Sequence, residues 1–247
     1  MNNSPFFEVI SAKFGMKPTE DQSRLFGELE AFLKRRDEQG VFILKGFAGT
    51  GKTSVLGAFV QALKHFKVKT RLLAPTGRAA KVLSLKSKES AFTIHKQIYR
   101  RKSKTDFGSP LSIRPNLTKN TVFIVDEASM IGDYTMNKDG SINARNLLED
   151  LIEHVFMTSG CKLVLLGDEG QLPPVGSDFS PALNVDYMSN LFPSVTVTSF
   201  KLNEVLRQAI DSEVYFEEKI RRKKNSSNHI LISLIYRSSP QIEMPTY

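Results

Sequence analysis

Residues Gly46-Phe47-Ala48-Gly49-Thr50-Gly51-Lys52-Thr53 follow the pattern G-x-x-x-x-G-K-[ST]. This spacing builds a cradle for anionic oxygens. Gly46, Gly49 and Gly51 let the backbone turn its N–H groups inward without a Cβ clash. The first amides of a following helix complete the nest. Phe47, Ala48 and Thr50 complete the loop's contact with a triphosphate. Lys52 is expected to reach the β- and γ-phosphates, and Thr53 to ligate Mg²⁺. The ligands implied by the loop are therefore a triphosphate and Mg²⁺. A second pair of residues, Asp126-Glu127, closes the apolar run Val122–Val125. Asp126 is expected to hold the metal. Glu127 is expected to orient and deprotonate an attacking water. Two adjacent acids could equally cap a helix; the phosphate cradle favours the metal and the water.

Both motifs need strands that end where the chemistry begins. Val41–Leu44 is a short apolar run stopped by glycine, and predicts a buried strand. Lys52–Phe66 repeats its apolar residues at three and four, and predicts a helix. Further strands are predicted at Arg71–Ala74, Val122–Val125, Leu163–Leu166 and Val195–Thr198, with helices at Ala79–Leu85 and along the face Leu147 to Val155. Unbroken apolar strands alternating with helices imply a parallel sheet covered on both faces. The predicted fold is α/β, a P-loop NTPase with a doubly wound parallel sheet and helices on both faces. Ligands of such sheets sit at the carboxyl ends of the strands. The polar stretches 102–119 and 132–143 read as excursions from that core.

Composition limits the alternatives. The chain has 247 residues, 40% hydrophobic and 24% charged, which suits a folded domain. One cysteine, Cys161, excludes an internal disulfide and a cysteine-built zinc site. It reads as a core residue, and a reducing, cytoplasmic setting is expected. No apolar run reaches the roughly 18 residues of a membrane span, and Met1–Pro5 does not have the form of a signal peptide. The net charge is +8. The window Arg78–Lys104 alone holds nine basic residues against the single acid Glu89. Such a segment attracts phosphates, or is simply a solvated face. A second basic run, Arg221–Lys224, has no clear role.

Further motifs make the chain resemble the first motor domain of superfamily-1 DNA helicases, in the RecD-like and Dda-like branch. Thr19–Gln22 resembles the Q motif and Gly46–Thr53 is motif I. Ala74–Ala80 resembles motif Ia, and Thr93-Ile94-His95 the next strand-contacting motif. Asp126–Met130 is motif II and Gly167–Val175 is motif III. Leu202–Gln208 resembles motif IV. The likeness runs from Pro18 to Gln208 and implies a RecA-like fold. It implies that Gln22 reads adenine and that Pro75, Thr76, Gly77, Arg78 and His95 contact single-stranded DNA. It further implies that Gln171 senses the γ-phosphate or its water, and that Arg207 acts as an arginine finger. An ATP-dependent DNA helicase moving 5′ to 3′ is expected, with roles in DNA repair or recombination.

After Gln208 the resemblance fades, and no motif V or VI is found. The expected organisation is an N-terminal segment 1–40, a RecA-like motor 41–220, and an unmatched basic tail 221–247. The second motor domain is expected to be missing, so that the chain hydrolyses ATP weakly and does not unwind duplex alone. Two other functions stay open: a P-loop ATPase that remodels a non-DNA partner, and a nucleotide-responsive single-strand-binding module. No membrane partner is expected.

Overall fold

The fold was determined as a computed structural model. The structure describes residues 4–35, 39–100, 112–132, 135–136, 142–143, 146–174 and 176–204.

Six strands form one parallel sheet: β1 (Gly40–Gly46), β2 (Lys69–Ala74), β3 (Ala91–Thr93), β4 (Thr121–Val125), β5 (Lys162–Gly167) and β6 (Thr196–Leu202). Their order across the sheet is β6-β1-β5-β4-β2-β3. The central strands carry unbroken apolar runs, Val41–Leu44, Val122–Val125 and Leu163–Leu166, because each face is buried in its own core. Phe42, Leu44, Ile124, Val164 and Leu166 face one cluster; Val41, Ile43, Phe123, Leu163 and Leu165 face the other. This alternation is the period-two pleat with both sides covered. The doubly wound parallel architecture read from the sequence is the one observed.

The helices are α1 (Pro5–Phe14), α2 (Glu20–Lys34), α3 (Lys52–His65), α4 (Gly77–Ser87), α5 (Ile94–Ile98), α6 (Leu147–Phe156) and α7 (Val185–Leu191). Helix α1 starts on Ser4, whose hydroxyl accepts from the Phe7 amide, with Pro5 at the first turn. Helix α2 starts on a capping box: Thr19 accepts from the Gln22 amide and Gln22 accepts from the Thr19 amide. Both helices belong to the core that covers α3, through Ile10, Phe14, Leu25, Phe26, Leu29 and Phe32. Helices α1 and α2 are therefore continuous in packing with the P-loop helix. Helices α5, α6 and α7 cover the other face.

Three features differ from the expected elements. Strand β3 was not expected and meets the DNA-contact motif Thr93-Ile94-His95 only at Thr93; it is three residues long and partly buried at the sheet edge. The strand expected at Val195–Thr198 runs to Leu202 and pairs with β1 along its whole length. Short antiparallel pairs accompany both polar excursions: Tyr99–Arg100, just before the first, with Ser112–Ile113 inside it, and Thr135–Met136 with Ile142–Asn143.

Candidate functional site

Strands β1, β5 and β4 are neighbours, and all end at the same edge. The phosphate loop leaves β1, Asp168 leaves β5, and Asp126 leaves β4. Two inter-strand spacings, about 10 Å, separate the outer two. That row carries the candidate site.

The loop folds as its spacing requires. Gly49 (φ 84°) and Gly51 (φ 85°) occupy the left-handed region. A Cβ on Gly46 would stand 2.7 Å from the Thr50 hydroxyl and 3.1 Å from the Leu202 carbonyl. Helix α3 begins after Gly51 with no side chain capping its first amides, which leaves them directed at the loop. The Lys52 ammonium donates to the Gly46 carbonyl and, at 2.8 Å, to the Phe47 carbonyl. It also lies 3.6 Å from Asp168 Oδ2. Asp168 is buried, and its Oδ1 accepts from the Gly170 amide at 2.8 Å. Phe47 is exposed, with Lys201 5.2 Å above its ring. Lys201 and Lys45 both pair with Glu169, and the hydrogen bond from Lys201 is the main cause holding that carboxyl below its ordinary range.

Asp126 and Glu127 follow the last apolar residue of β4. Burial, then the Glu127 charge, pushes the Asp126 carboxyl up. The Glu127 amide, donating to Oδ1 at 3.0 Å, and the Lys86 and Lys52 cations oppose that rise. Glu127 itself is in the left-handed region (φ 57°, ψ 36°), a conformation that costs a side-chain-bearing residue roughly 1–3 kcal/mol. The turn aims its carboxylate at Gln171, whose amide donates to Oε2 at 3.1 Å. The Ser129 hydroxyl donates to the Gln171 oxygen at 2.8 Å, and the Ser180 hydroxyl donates to the Ser129 carbonyl at 3.1 Å.

For a metal, this edge offers the Asp126 carboxylate, while Thr53 stands in the first turn of α3 beside the phosphate loop. Among the described residues no group of three His, Cys, Asp or Glu converges. A few hard oxygens, completed by phosphate and water, fit Mg²⁺ and not a soft transition metal.

The sequence-predicted nucleic-acid residues separate into two sets. Thr76 and Arg78 line a cleft of 330 Å³ together with Ala79, Val82, Met130, Asp126, Glu127 and Gln171. Thr76 also caps α4, accepting from the Ala79 amide at 3.2 Å. Pro75 and Gly77 flank it, half-buried and exposed. His95 does not line that cleft; it is exposed on α5, which leaves β3 at the edge where Pro75 leaves the adjacent β2, and its ring is 5.6 Å from that of Tyr99. Gln22 is 1% exposed. Its oxygen caps α2 and its nitrogen donates to the Thr50 carbonyl at 3.4 Å, so the amide braces the phosphate loop. Arg207 lies outside the described residues, as do Arg101, Lys102, Lys104 and Arg221–Lys224. A cavity of 960 Å³ opens between Lys69, Lys119 and Lys162 at the amino-terminal edge, away from this chemistry.

Two contributors had no assigned role in the sequence: Asp168 and Ser129. A signal existed for the first. Asp168 directly follows an apolar strand, as Asp126 does.

The chain matches the AAA domain family over residues 28–233. It is 27% identical over 200 residues to the ATP-dependent RecD2 DNA helicase of Deinococcus radiodurans, covering 80% of this chain and 24% of that protein. It is 30% identical over 193 residues to the ATP-dependent DNA helicase dda of Enterobacteria phage T4, covering 76% of this chain and 39% of that protein. It is 28% identical over 145 residues to the ATP-dependent DNA helicase Pif1 of a Psychrobacter species, covering 54% of this chain and 20% of that protein. The chain thus spans well under half the length of each of these curated relatives.

Proposed function

The chain belongs to the AAA domain family, and from that membership we propose that it is a motor domain that binds Mg-ATP and single-stranded DNA and hydrolyses the nucleotide. Its fold is the RecA-like P-loop NTPase fold, and it is a helicase-type motor of the RecD-like and Dda-like branch.

The observation that carries the reading is the convergence at one sheet edge of Lys52, Asp168, Asp126, Glu127 and Gln171, joined by the Lys52–Asp168 and Gln171–Glu127 contacts. In the proposed reaction the loop amides and the head of α3 seat the phosphates. Lys52 exchanges its loop carbonyls for β- and γ-phosphate oxygens. Thr53 and Asp126 would hold Mg²⁺, whose charge offsets that of the phosphate oxygens. Glu127 accepts the proton of the attacking water, and the Gln171 amide orients that water beside it. Arg78 and Thr76 share the cleft of the two acids. A strand resting on them would report its presence to Glu127 and Gln171. We assign Arg207 the part of a further cation on the γ-phosphate, and Gln22 a part in nucleotide binding exerted through the loop it braces. Unwinding needs two strand-gripping surfaces whose spacing changes. The described residues form one RecA-like body, so the activity proposed for it is DNA-responsive ATP turnover without strand separation.

The test is steady-state ATP hydrolysis in Mg²⁺, with and without single-stranded DNA, for the wild type and Glu127→Gln. DNA-stimulated turnover that disappears in E127Q, with nucleotide binding retained, is expected. Turnover indifferent to DNA would point to remodelling of another partner. Nucleotide and DNA binding without turnover would point to a binding module.

A further inference from the structure

An ionised Glu127 can only accept hydrogen bonds, so the Gln171 atom 3.1 Å from its Oε2 is the amide nitrogen. The Gln171 oxygen therefore faces the opposite way, where the Ser129 hydroxyl donates to it. These two partners differ sharply in their surroundings from Gln171. Ser129 is 0% exposed, in the middle of the 3₁₀ turn Ala128–Met130. The Ser180 hydroxyl ties the backbone of that turn from the other side. Gln171 is exposed, and the next residue, Leu172, is 89% exposed. An amide on an open loop has two states about its last torsion. One presents N–H to Glu127; the other presents a lone pair to a carboxylate and is repelled. The Ser129 hydroxyl, set in its buried turn, donates to the oxygen in the first state; in the second it would have to turn and accept from the nitrogen.

We propose that Ser129 is a positioning residue of this site: its buried hydroxyl locks the Gln171 amide with the nitrogen toward Glu127. Ser129 touches neither water nor phosphate in this scheme and acts through Gln171. The catalytic consequence rests on the function proposed above; the orientation itself does not. Removing the hydroxyl leaves the oxygen of an exposed amide to water, so stability should change little while the orientation is lost.

The experiment compares wild type, Ser129→Ala, Gln171→Ala and the double variant in Mg-ATP hydrolysis with single-stranded DNA. It is paired with side-chain amide spectra of the full chain labelled with ¹⁵N-glutamine. S129A should lower kcat about tenfold, equivalent to about 1.4 kcal/mol of barrier, with KM for ATP within about twofold. The double variant should be no slower than Q171A, since both changes break one unit. The Gln171 amide protons, identified by their loss in Q171A, should be well separated in the wild type and move together toward free-amide positions in S129A. The inference is overturned if S129A keeps wild-type kcat, if the two losses multiply, or if the Gln171 signals do not move. If the wild-type chain turns over no ATP, the functional reading fails, and the amide spectra alone decide the role of Ser129.

Discussion

Lys52 and Asp168 face each other across the head of α3, with Nζ 3.6 Å from Oδ2 and both side chains largely buried. The lysine of the phosphate loop is thus held by an acid from the neighbouring strand and by two carbonyls of its own loop. Any phosphate that binds must draw Lys52 from these partners, and Asp168 repels the incoming anion.

Replacing Asp168 with Asn should therefore act with opposite signs on the free and the nucleotide-bound protein. The free protein loses the partner of a mostly buried cation and melts at a lower temperature. Nucleotide binding gains, because one repulsive charge is gone and Lys52 is released. A gain near 1 kcal/mol corresponds to about fivefold tighter ADP. Titration of a fluorescent ADP analogue into wild type and D168N measures it. Weaker binding in D168N would show that Asp168 aids the nucleotide.

Arg78 provides the test of the DNA face. It is exposed at the start of α4 and shares a cleft with Asp126 and Glu127. If it contacts a phosphate of single-stranded DNA, the plot of log affinity against log salt should lose about 0.7 in slope in Arg78→Ala. The loss of affinity should be the same for different base sequences, because a phosphate contact carries no base information. Fluorescence anisotropy over a salt series gives both quantities. An unchanged slope would place Arg78 off the DNA path.

How legible was this in the residues? Strands β1, β4 and β5 could be read because both faces of the sheet are buried there, which makes their runs Val41–Leu44, Val122–Val125 and Leu163–Leu166 apolar; β2 showed itself through Leu72-Leu73-Ala74, its buried half. The phosphate loop could be read because its geometry is local: eight successive residues contain it. Strand β3 escaped because Ala91-Phe92-Thr93 is too short, and too exposed at the sheet edge, to show a period. The pairs Lys52–Asp168 and Ser129–Gln171 escaped for another reason. They depend on β5 lying between β1 and β4, an order that no local pattern encodes. The resemblance implies that Gln22 reads adenine. Its bond to the Thr50 carbonyl appears only once α2 packs against the core of α3.

His154 makes stability depend on pH. It is 1% exposed on α6, with its ring edge-on to Phe123 and Nδ1 2.7 Å from the Arg114 carbonyl. Nε2 has no hydrogen-bond partner among the described residues. Burial is the first cause that lowers its pKa from 6.5, while the Arg114 carbonyl partly offsets it. The native state then binds fewer protons than the unfolded chain once the pH drops below 6.5. This stability is fully present above that value and is lost as the pH falls toward the depressed native value. The loss is about 1.4 kcal/mol per pH unit across that window. His154→Gln keeps a donor for the Arg114 carbonyl and removes the titration. Its melting temperature should drop less than that of wild type between pH 7 and 5. Parallel curves for the two proteins would exclude His154 as the source.

One substitution made at two glycines should have opposite effects, and this separates the loop's constraint from helix propensity. Gly27 sits within α2, exposed, with nothing within 4 Å of the place a methyl group would take. Gly27→Ala should stabilise the fold by about 0.5–1 kcal/mol, since glycine in a helix interior carries that entropic cost. For a chain of this size that is about 2–4 °C in melting temperature per kcal/mol. At Gly46 the same methyl would meet the Thr50 hydroxyl at 2.7 Å, the Leu202 carbonyl at 3.1 Å and the Leu202 Cβ at 3.2 Å. Relief requires moving the phosphate loop or pushing β6 off β1. Gly46→Ala should therefore cost about 1–3 kcal/mol and weaken nucleotide binding as well, because Lys52 is anchored on the Gly46 carbonyl. Thermal melts with and without ADP measure both effects. A G46A protein that melts like wild type and keeps its ADP-dependent shift would show that the loop tolerates the methyl group, and that the close approach of β6 does not constrain it.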